Sequence, residues 1–560
     1  MTVSSKKSPK PVIASGAKQS PSKDGKTATS QKRAPRRVTL ARTRSGATGV
    51  LLACLLLLGG ILRLIDLTDP PLDFHSTRQL RNILVARDIY YQLTPEADAE
   101  TRNLAASFAK SVGDFEPPII ETLTALGYKV TGGESFAVPR VLNTLFWLLA
   151  GLALFDLARR MTSDEAALIS LAFYLVLPFS VQASRSFQPD PLMTSLFVGG
   201  LYALYRWVEE NDRLSLRGSS PAEAISRSKK KTAASQKDAP RSDSWRWAIL
   251  AALLLGLATL VKIVIAFFVA AVAIAAVLLA YGWKRFWKSP QVWVIAVLMV
   301  LPAFSYYIIG GGERSGEYFI SWTLDLIHLL SSTKFYLQWM TFIGSLFGLP
   351  IIYLSIIGAL LLPSRGRALL VASWIGYLLY GLTLPFQMYT HSYYHIQLIP
   401  VIALGIAPIA HLVTEQAKGQ GRFWRSLLVG AILLGVVYPA WVARSTLIAD
   451  DYHYELEYWQ TVGEAIPAYY DVIALTQDYG YRLMAFGWRK TSLWPLSTTL
   501  MEVRGGSIDA QKEFESRADG VEFFVVTALG QYEKQLGLRE ILESYPLAAQ
   551  GEGYLIYDIR

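Results

Sequence analysis

The sequence predicts an all-α membrane protein with about eleven transmembrane helices, followed by a small soluble α/β domain. Hydrophobic residues make up 52% of the 560 residues and charged residues only 18%, and the mean hydropathy is +0.30. Apolar content of this kind, gathered into runs of membrane length, excludes an ordinary soluble enzyme. The first two apolar runs are separated by a long hydrophilic stretch, residues 66–136, which predicts a folded loop at the membrane surface.

The N-terminal residues 1–47 are rich in lysine and arginine and contain one acid, Asp24, in a background of serine, proline and alanine. Such a composition cannot build a core, so we predict a disordered cytoplasmic tail. Its charge is typical of an orientation signal beside anionic lipids, and we favour this over nucleic-acid binding. The first apolar run, residues 50–64, follows too long a charged region to be a cleaved signal peptide, so we predict that it remains as an anchor.

Ten further spans are predicted along the chain. They lie near residues 137–157, 164–181, 191–208, 246–261, 263–282, 291–309, 341–362, 368–385, 396–413 and 426–445. With a cytoplasmic N-terminus, five basic clusters fall on the cytoplasmic side, as the positive-inside rule requires. These clusters are Arg159-Arg160, Arg227 with residues 229–231, Lys284-Arg285 with Lys288, Arg365 with Arg367, and Lys418 with Arg422 and Arg425. The run 246–282, interrupted by Lys262, is nearly twice the membrane thickness, which favours two spans over one span with a re-entrant segment.

The last part of the chain, residues 446–560, predicts a small extracytoplasmic α/β domain. Apolar runs at 472–475, 521–526 and 554–557 are typical of strands, and residues 510–518 and 536–545 are typical of helices. Its sequence contains no glycine-rich phosphate loop and no metal-ligand spacing. The role of this domain therefore cannot be predicted from its motifs.

Within the 66–136 loop, two carboxylates precede predicted surface helices. Ser76-Thr77-Arg78-Gln79 is a capping-box pattern, which predicts a helix that starts at Ser76 with this serine as its cap. Asp73 lies just before that helix, where a carboxylate stays ionised, so it suits a general base, although a second cap is the simpler interpretation. Glu116 is followed by two prolines, which predict the start of a second helix that closes at Gly132-Gly133.

Other charged and imidazole groups lie at the outer ends of predicted spans. Asp190 stands between two prolines, and Lys262 interrupts the 246–282 run; groups there can be simply solvated, but ionisable residues at membrane depth are functional candidates. His75, His391 and His395 offer an alternative, a divalent metal site, since two of them are four residues apart. We favour interfacial hydrogen bonding or contact with the acceptor for them, so the divalent metal stays the alternative and the sequence identifies no other cofactor.

These residues together resemble the GT-C superfamily of membrane glycosyltransferases, in particular the branch with bacterial protein O-mannosyltransferases and lipid A aminoarabinose transferases. The resemblance covers roughly residues 48–445 and depends on the order, spacing and common side of its motifs. The motifs are Asp73, Glu116-Pro117-Pro118, Arg140, Asp190-Pro191-Leu192, Lys262, and His391-Ser392-Tyr393-Tyr394-His395 before Leu398-Ile399-Pro400. The aminoarabinose transferases have a lysine between the glutamate and the prolines. This chain has none, so aminoarabinose specificity is not implied.

The resemblance implies that a sugar is transferred from a polyprenyl-phosphate donor to an extracytoplasmic lipid, glycan or protein, at a bacterial inner membrane. Asp73 would be the general base and Glu116 a second catalytic carboxylate. Lys262 with Arg185, or Arg78 with Arg81, would neutralise the donor phosphate. The remaining predicted substrate-binding residues are Asp190, His75, Arg140, His391, Tyr393 and Tyr394.

Two other functional classes are alternatives to the glycosyltransferase. A polysaccharide polymerase or ligase shares lipid-linked substrates, but its large outside loop normally falls late in the chain rather than after the first span. A lipid or glycan transporter usually shows internal repeats and broken helices, and this sequence shows no repeat. Both are less favoured than the glycosyltransferase.

Overall fold

The computed structural model describes residues 36–113, 115–218, 239–310, 323–467, 470–496 and 509–560. By their internal contacts residues 48–560 form one compact unit and residues 1–47 a separate one. Two predicted features lie wholly or partly outside the described residues: the tail as far as residue 35, and the basic cluster at Arg227 and 229–231.

Helices dominate the chain as far as residue 447. In order they are α1 (Arg36–Arg63), α2 (Ser76–Gln92), α3 (Ala99–Ser111), α4 (Ile119–Thr131), α5 (Ala137–Met161), α6 (Asp164–Val176), α7 (Pro178–Arg185), α8 (Pro189–Gly218), α9 (Ala239–Val261), α10 (Ala266–Tyr281), α11 (Pro290–Phe304), α12 (Thr333–Phe347), α13 (Leu349–Leu361), α14 (Ser364–Thr383), α15 (Leu398–Lys418) and α16 (Arg422–Leu447). Short helical turns at Ile263–Ile265, Phe386–Tyr389 and Ser392–His395 connect some of them.

All eleven predicted spans coincide with helices, but their lengths and apolar content differ. Within the described ranges, seven helices are long and apolar enough to cross a membrane, or nine when α6 with α7 and α12 with α13 are each counted as one bent span. These pairs bend by 60° and 90°. The other two predicted spans, α8 and α14, are helical as expected, and charged side chains such as Asp190 and Arg365 reduce their apolar content. The 246–282 run forms two helices, as predicted, with Lys262 at the break.

The surface loop contains the two predicted helices, α2 and α4, and a third, α3, that the sequence pattern did not indicate. Helix α4 follows Pro118 and ends at Gly132, whose φ of 85° explains the glycine. Helix α2 begins at Ser76 as predicted, but the capping-box prediction is wrong. The cap residue is His75, in a left-handed conformation and without a side-chain cap bond. Gln79 instead donates to the carbonyl of Phe74 at 2.8 Å and accepts from the Phe187 amide at 2.8 Å.

The last part of the chain forms the α/β domain, a five-stranded sheet with helices. After α17 (His453–Ala465) come β1 (Val472–Leu475), α18 (Tyr481–Phe486), β2 (Ser492–Leu493), α19 (Ala510–Ala518), β3 (Phe523–Val526), α20 (Leu529–Tyr532), α21 (Leu536–Leu542), β4 (Leu547–Gly551) and β5 (Tyr554–Asp558). The strand order is β2-β1-β3-β5-β4, with β1 parallel to β2 and β3, and β5 antiparallel to β3 and β4. The predicted strands at β1, β3 and β5 and both predicted helices are confirmed.

The surface loop and the C-terminal domain share one hydrophobic core. Leu80 and Leu84 of α2 pack in the same cluster as Trp459, Val462 and Phe486 of the domain. Polar contacts reinforce this packing. Arg87 of α2 donates to the carbonyls of Met484 at 3.2 Å and Ala485 at 2.8 Å, and its guanidinium lies 4.2 Å from the Trp488 ring centre. The C-terminal domain therefore packs directly against the surface loop.

Candidate functional site

A cavity of about 670 Å³ opens where the surface loop, the membrane helices and the C-terminal domain meet. Its volume lies in the range typical of small-molecule sites. The loop contributes His75, Ser76, Thr77, Arg78, Arg81, Phe115 and Glu116; the membrane part contributes Lys262, Ile263, Val264, Tyr307, Leu384, Gln387, His391, Tyr393 and Tyr394; and the C-terminal domain contributes Tyr479 and Tyr481.

Two ion pairs lie at this cavity; Arg78, Glu116 and Lys262 line it, and Asp190 is buried behind Lys262 without being a lining residue. Arg78 Nη2 lies 2.5 Å from Glu116 Oε1, and Lys262 Nζ lies 2.9 Å from both carboxylate oxygens of Asp190. Lys262 Nζ also approaches Glu116 Oε1 at 4.0 Å, so it joins the two pairs. The Lys262 and Asp190 side chains are only 4% and 3% exposed. Such buried pairs require favourable geometry, and they hold both cations in place.

The local fold explains why these groups meet. Helix α9 ends at Val261, and Lys262 adopts an extended conformation before the next helical turn. Asp190 lies in the first turn of α8, where the free amides of a helix N-terminus favour a carboxylate. Glu116 is placed by the Pro117-Pro118 step before α4, and Arg78 lies in the first turn of α2.

The charges in the cavity affect the ionisation of the loop carboxylates. Burial alone would raise the pKa of Glu116, but Arg78 and Lys262 outweigh it and lower this pKa to about 2. Glu116 is thus ionised at neutral pH and a weak base. Glu121 contrasts with it, because burial raises the pKa of this carboxyl to about 7 although Arg81 lies 3.5 Å away.

Imidazole and phenol rings line one side of the same cavity. His75 Nε2 shares a hydrogen bond of 2.8 Å with Ser392 Oγ, and its ring centre lies 4.7 Å from that of Tyr393 and 6.1 Å from that of His391. Burial lowers the pKa values of His75 and His391 to about 4, with nearby cations adding to the effect, so both rings are neutral at pH 7. Lys262 Nζ lies 4.8 Å from the Tyr393 ring centre, within cation–π range.

The three-histidine metal alternative is wrong, because His395 is engaged elsewhere. Its Nε2 donates to the Met388 carbonyl at 3.2 Å, and its Nδ1 lies 2.9 Å from the Tyr377 hydroxyl. With both ring nitrogens bonded, His395 has no atom left for a metal.

A different group, Asp69, Asp451 and His453, has oxygen and nitrogen atoms within 4.8 Å of one another, close enough to share an ion. Two of its three members are exposed. Exposed acidic groups are common without any metal, so this arrangement alone does not establish a metal site.

Three predicted site residues lie in a second cluster, at the 66–69 turn. Arg140 Nη1 donates to the carbonyls of Asp66 at 3.1 Å, Leu67 at 2.9 Å and Asp69 at 2.7 Å, and Arg185 Nη2 donates to Asp66 at 2.7 Å. Asp73, 20% exposed, lies 3.7 Å from Arg140 Nη2. Asp73, Arg140 and Arg185 are not among the described residues that line the cavity. Arg185, predicted to bind phosphate, donates from Nη2 to one backbone carbonyl, that of Asp66, and its role in binding phosphate stays a prediction.

Sequence reasoning missed the contribution of the C-terminal domain. Asp478 accepts hydrogen bonds from Ser76 Oγ at 2.7 Å and Thr77 Oγ1 at 2.5 Å, and the next residues bring Tyr479 and Tyr481 to the cavity. The signal available was the Asp-Tyr-Gly-Tyr segment, which follows a buried strand after two intervening residues and is typical of a turn. Asp478 and Tyr479 have φ values of 48° and 57°, a conformation that costs about 1–3 kcal/mol per residue and often marks functional sites.

Comparison with known proteins gives one family match and several structural matches. Residues 115–224 match the family described as dolichyl-phosphate-mannose-protein mannosyltransferase, and no curated protein sequence matches the chain. The crystal structure of ArnT from Cupriavidus metallidurans bound to undecaprenyl phosphate is similar at a TM-score of 0.54 and 13% identity, with 92% of this chain and 98% of that chain covered. The archaeal oligosaccharyltransferase AglB from Archaeoglobus fulgidus, in complex with an inhibitory peptide and a dolichol-phosphate, is similar at 0.53 and 13%, over 88% and 71%.

The match to ArnT extends over nearly the whole length of both chains, so the similarity is one of overall fold. The predicted fold class, an all-α membrane protein with a small C-terminal sheet region, is confirmed. The resemblance to membrane glycosyltransferases that the sequence motifs indicated is confirmed as a similarity of fold, with the family match over residues 115–224.

Proposed function

We propose that this chain, which has the fold of the GT-C membrane glycosyltransferases, transfers a sugar from a polyprenyl-phosphate donor to an acceptor outside the cytoplasm. The observation that carries the proposal is the pair of cations, the buried Lys262 and the partly exposed Arg78, in a cavity bounded by both membrane helices and the polar loop. A lipid phosphate places its charge at this kind of boundary. The undecaprenyl phosphate bound to ArnT and the dolichol-phosphate bound to AglB support the donor class.

The carboxylate partners would position the cations before the donor arrives. Asp190 holds Lys262 by two contacts of 2.9 Å, and Glu116 engages one nitrogen of Arg78, whose guanidinium carries five N–H donors. Cations fixed in advance stabilise charge that develops on the leaving phosphate without reorganisation. Apolar side chains at Ile263, Val264 and Leu384 line the same cavity and suit the first isoprene units of the lipid.

Of the two loop carboxylates, Asp73 is the better candidate for the general base, although it is not itself a lining residue and stands two positions before His75, which is one. Glu116 is bonded to Arg78 and has a pKa of about 2, whereas Asp73 is partly exposed, with Arg140 at 3.7 Å and Gln79 at 3.5 Å. Asp73 would take the proton of the acceptor hydroxyl or amine as this nucleophile attacks the anomeric carbon. The bond from that carbon to the phosphate oxygen breaks, and polyprenyl phosphate leaves. One base and no covalent intermediate imply inversion at the anomeric carbon.

The proposal places the site on the outer face of a bacterial inner membrane. The positive-inside assignment directs the 66–136 loop and the C-terminal domain away from the cytoplasm. A nucleotide-sugar donor would need a cytoplasmic site, and the cavity lies among the segments assigned outside.

The test is the affinity of the purified protein for undecaprenyl phosphate. Lys262→Ala would leave Asp190 buried without a partner, so the double variant Lys262→Met with Asp190→Asn is the cleaner probe. We expect its affinity for undecaprenyl phosphate to fall at least about tenfold, because one charge-assisted phosphate contact is lost. Lys418→Ala is the matched control, since Lys418 is 42% exposed in a surface pair. Wild-type affinity in the double variant, or an equal loss in the control, contradicts the proposal.

A further inference from the structure

We propose that the C-terminal domain forms the acceptor side of the cavity, with Tyr479 and Tyr481 as a binding wall for a sugar ring of a glycan acceptor. The inference rests on the proposed function, which supplies the donor side. Nothing in the motifs of this domain indicated such a role. Its basis is the way the segment from Asp478 to Arg482 is held and what it presents.

The backbone of this segment is held in an unusual conformation. Asp478, Tyr479 and Gly480 follow one another with φ values of 48°, 57° and 76°. Such left-handed conformations are unfavourable for residues with a side chain, and they persist only where the surroundings enforce them. Gly480 is required twice over, because a Cβ there would also lie 2.5 Å from Thr491 Cγ2.

A charged network enforces the conformation. The Asp478 carboxylate accepts from Ser76 Oγ at 2.7 Å and from Thr77 Oγ1 at 2.5 Å, and Arg482 Nε lies 2.6 Å from Asp478 Oδ2. Arg482 Nη1 in turn lies 2.9 Å from Glu455 Oε1. The segment is thus bonded both to its own domain and to the loop helix that carries Arg78.

The position of Asp478 explains part of this arrangement. Its carboxylate lies at the N-terminus of α2, where His75 makes no side-chain cap bond. A negative charge there interacts favourably with the helix dipole and the free amides. The C-terminal domain therefore stabilises the start of α2 in place of a residue from the loop itself.

The side chains that the segment presents suit a carbohydrate. Tyr479 lines the cavity and is still 51% exposed, and its ring centre lies 6.0 Å from that of Tyr481 at a tilt of 38°. A phenol offers a flat apolar face with a hydroxyl at its edge. A pyranose ring has the complementary form, an apolar C–H face with hydroxyls around its rim. The donor phosphate would instead bind to the cations Arg78 and Lys262.

The first experiment places a photocrosslinker in the wall. Tyr479→p-benzoylphenylalanine is expressed in living cells and irradiated, and the purified adduct is analysed by mass spectrometry after protease digestion. We expect carbohydrate on the peptide that contains position 479. Tyr470→p-benzoylphenylalanine is the matched control, because Tyr470 is 41% exposed on the same domain and is not among the described residues that line the cavity. A protein adduct, no adduct, or the same adduct at both positions overturns the inference.

The second experiment separates this inference from the proposed function. For Tyr479→Ala we expect undecaprenyl phosphate binding within twofold of wild type. Sugar transfer to the acceptors in isolated envelope membranes should fall at least tenfold, with release of free sugar from the donor retained. If transfer and undecaprenyl phosphate binding fall together, or if transfer is unchanged, the acceptor wall is wrong. If the wild-type protein neither binds undecaprenyl phosphate nor releases sugar, the proposed function itself fails.

Discussion

At the scale of single residues, the loop carboxylates Asp73 and Glu116 differ in what already engages them. Glu116 is held by Arg78 at 2.5 Å, whereas Asp73 is 20% exposed with its nearest cation at 3.7 Å. A base must be free to accept a proton, and a positioning carboxylate must stay ionised. We therefore propose that Asp73 takes the proton and that Glu116 positions Arg78.

Asp73→Asn tests this division. Asparagine keeps the size of the side chain but cannot take a proton, so we expect turnover to fall by about 10²–10⁴ while affinity for undecaprenyl phosphate is retained. Asp88→Asn, on the same surface loop, serves as the control and should behave as wild type. Turnover of Asp73→Asn within a few-fold of wild type would transfer the base role to Glu116.

Glu121 predicts a pH dependence of stability. Its folded-state pKa of about 7 lies above the ordinary value of 4.5, so the folded state favours the protonated carboxyl. This contribution is complete below pH 4.5 and is lost as pH rises through 7, on the order of 1–3 kcal/mol. We expect Glu121→Gln to reduce the loss in Tm between pH 5 and 8, whereas the exposed Glu96→Gln should leave it unchanged. An unaltered pH profile in Glu121→Gln would show that Glu121 is not the cause.

The identity of single residues indicated some members of this site, but not which of them contact one another in the folded chain. Lys262 and Asp190 were identifiable because ionisable groups are costly at membrane depth, and they meet although 72 positions apart. Arg140 and Arg185 were selected through the family resemblance and the donor phosphate that it implies, and both bond the backbone of the 66–69 turn. Whether a buried charged side chain faces the cavity or bonds the backbone depends on where unpaired carbonyls lie in the folded chain. Local sequence does not contain that information.

At the scale of elements, periodicity and turn residues predicted most helices. An apolar run of membrane length can satisfy its own backbone hydrogen bonds in lipid only as a helix. Strands β2 and β4 were not predicted, since β2 has only two residues and β4 is largely exposed. The bend of 90° between α12 and α13 was also missed. It occurs at Gly348, whose φ is 81°.

Close helix packing gives a prediction at this scale. A Cβ at Gly405 of α15 would lie 2.1 Å from Ser355 Oγ of α13, so Gly405→Ala forces these helices apart. We expect a stability loss of about 1–3 kcal/mol, seen as a lower Tm in detergent. Gly430→Ala on α16 meets nothing within 4 Å and should leave Tm unchanged or higher. Equal Tm values for the two variants would contradict the packing.

At the scale of the whole molecule, the C-terminal domain closes the cavity over the loop. The sequence predicted such a domain but not its packing, because the shared core forms between segments more than 350 residues apart, as the contact of Arg87 with Met484 illustrates. Long-range packing of this kind leaves no local pattern. The loop helices and the domain would accordingly unfold together.

The predicted orientation can be tested with reporter fusions. Reporters after Asp66, Lys230 and Arg560 should be outside, inside and outside, because the basic loops favour the cytoplasmic side. A cytoplasmic reporter after Arg560 would separate the C-terminal domain from an outward-facing site and contradict the proposed mechanism.

The central claim is that the cavity binds a polyprenyl-phosphate sugar and breaks its bond to phosphate. Mass spectrometry of the lipid that co-purifies with the wild-type protein and with Asp73→Asn tests this most directly. We predict polyprenyl phosphate on both, with the form that carries a single sugar enriched on Asp73→Asn because transfer is blocked after binding. A polyprenyl pyrophosphate-linked oligosaccharide, or the absence of any polyprenyl lipid from both proteins, would contradict the account.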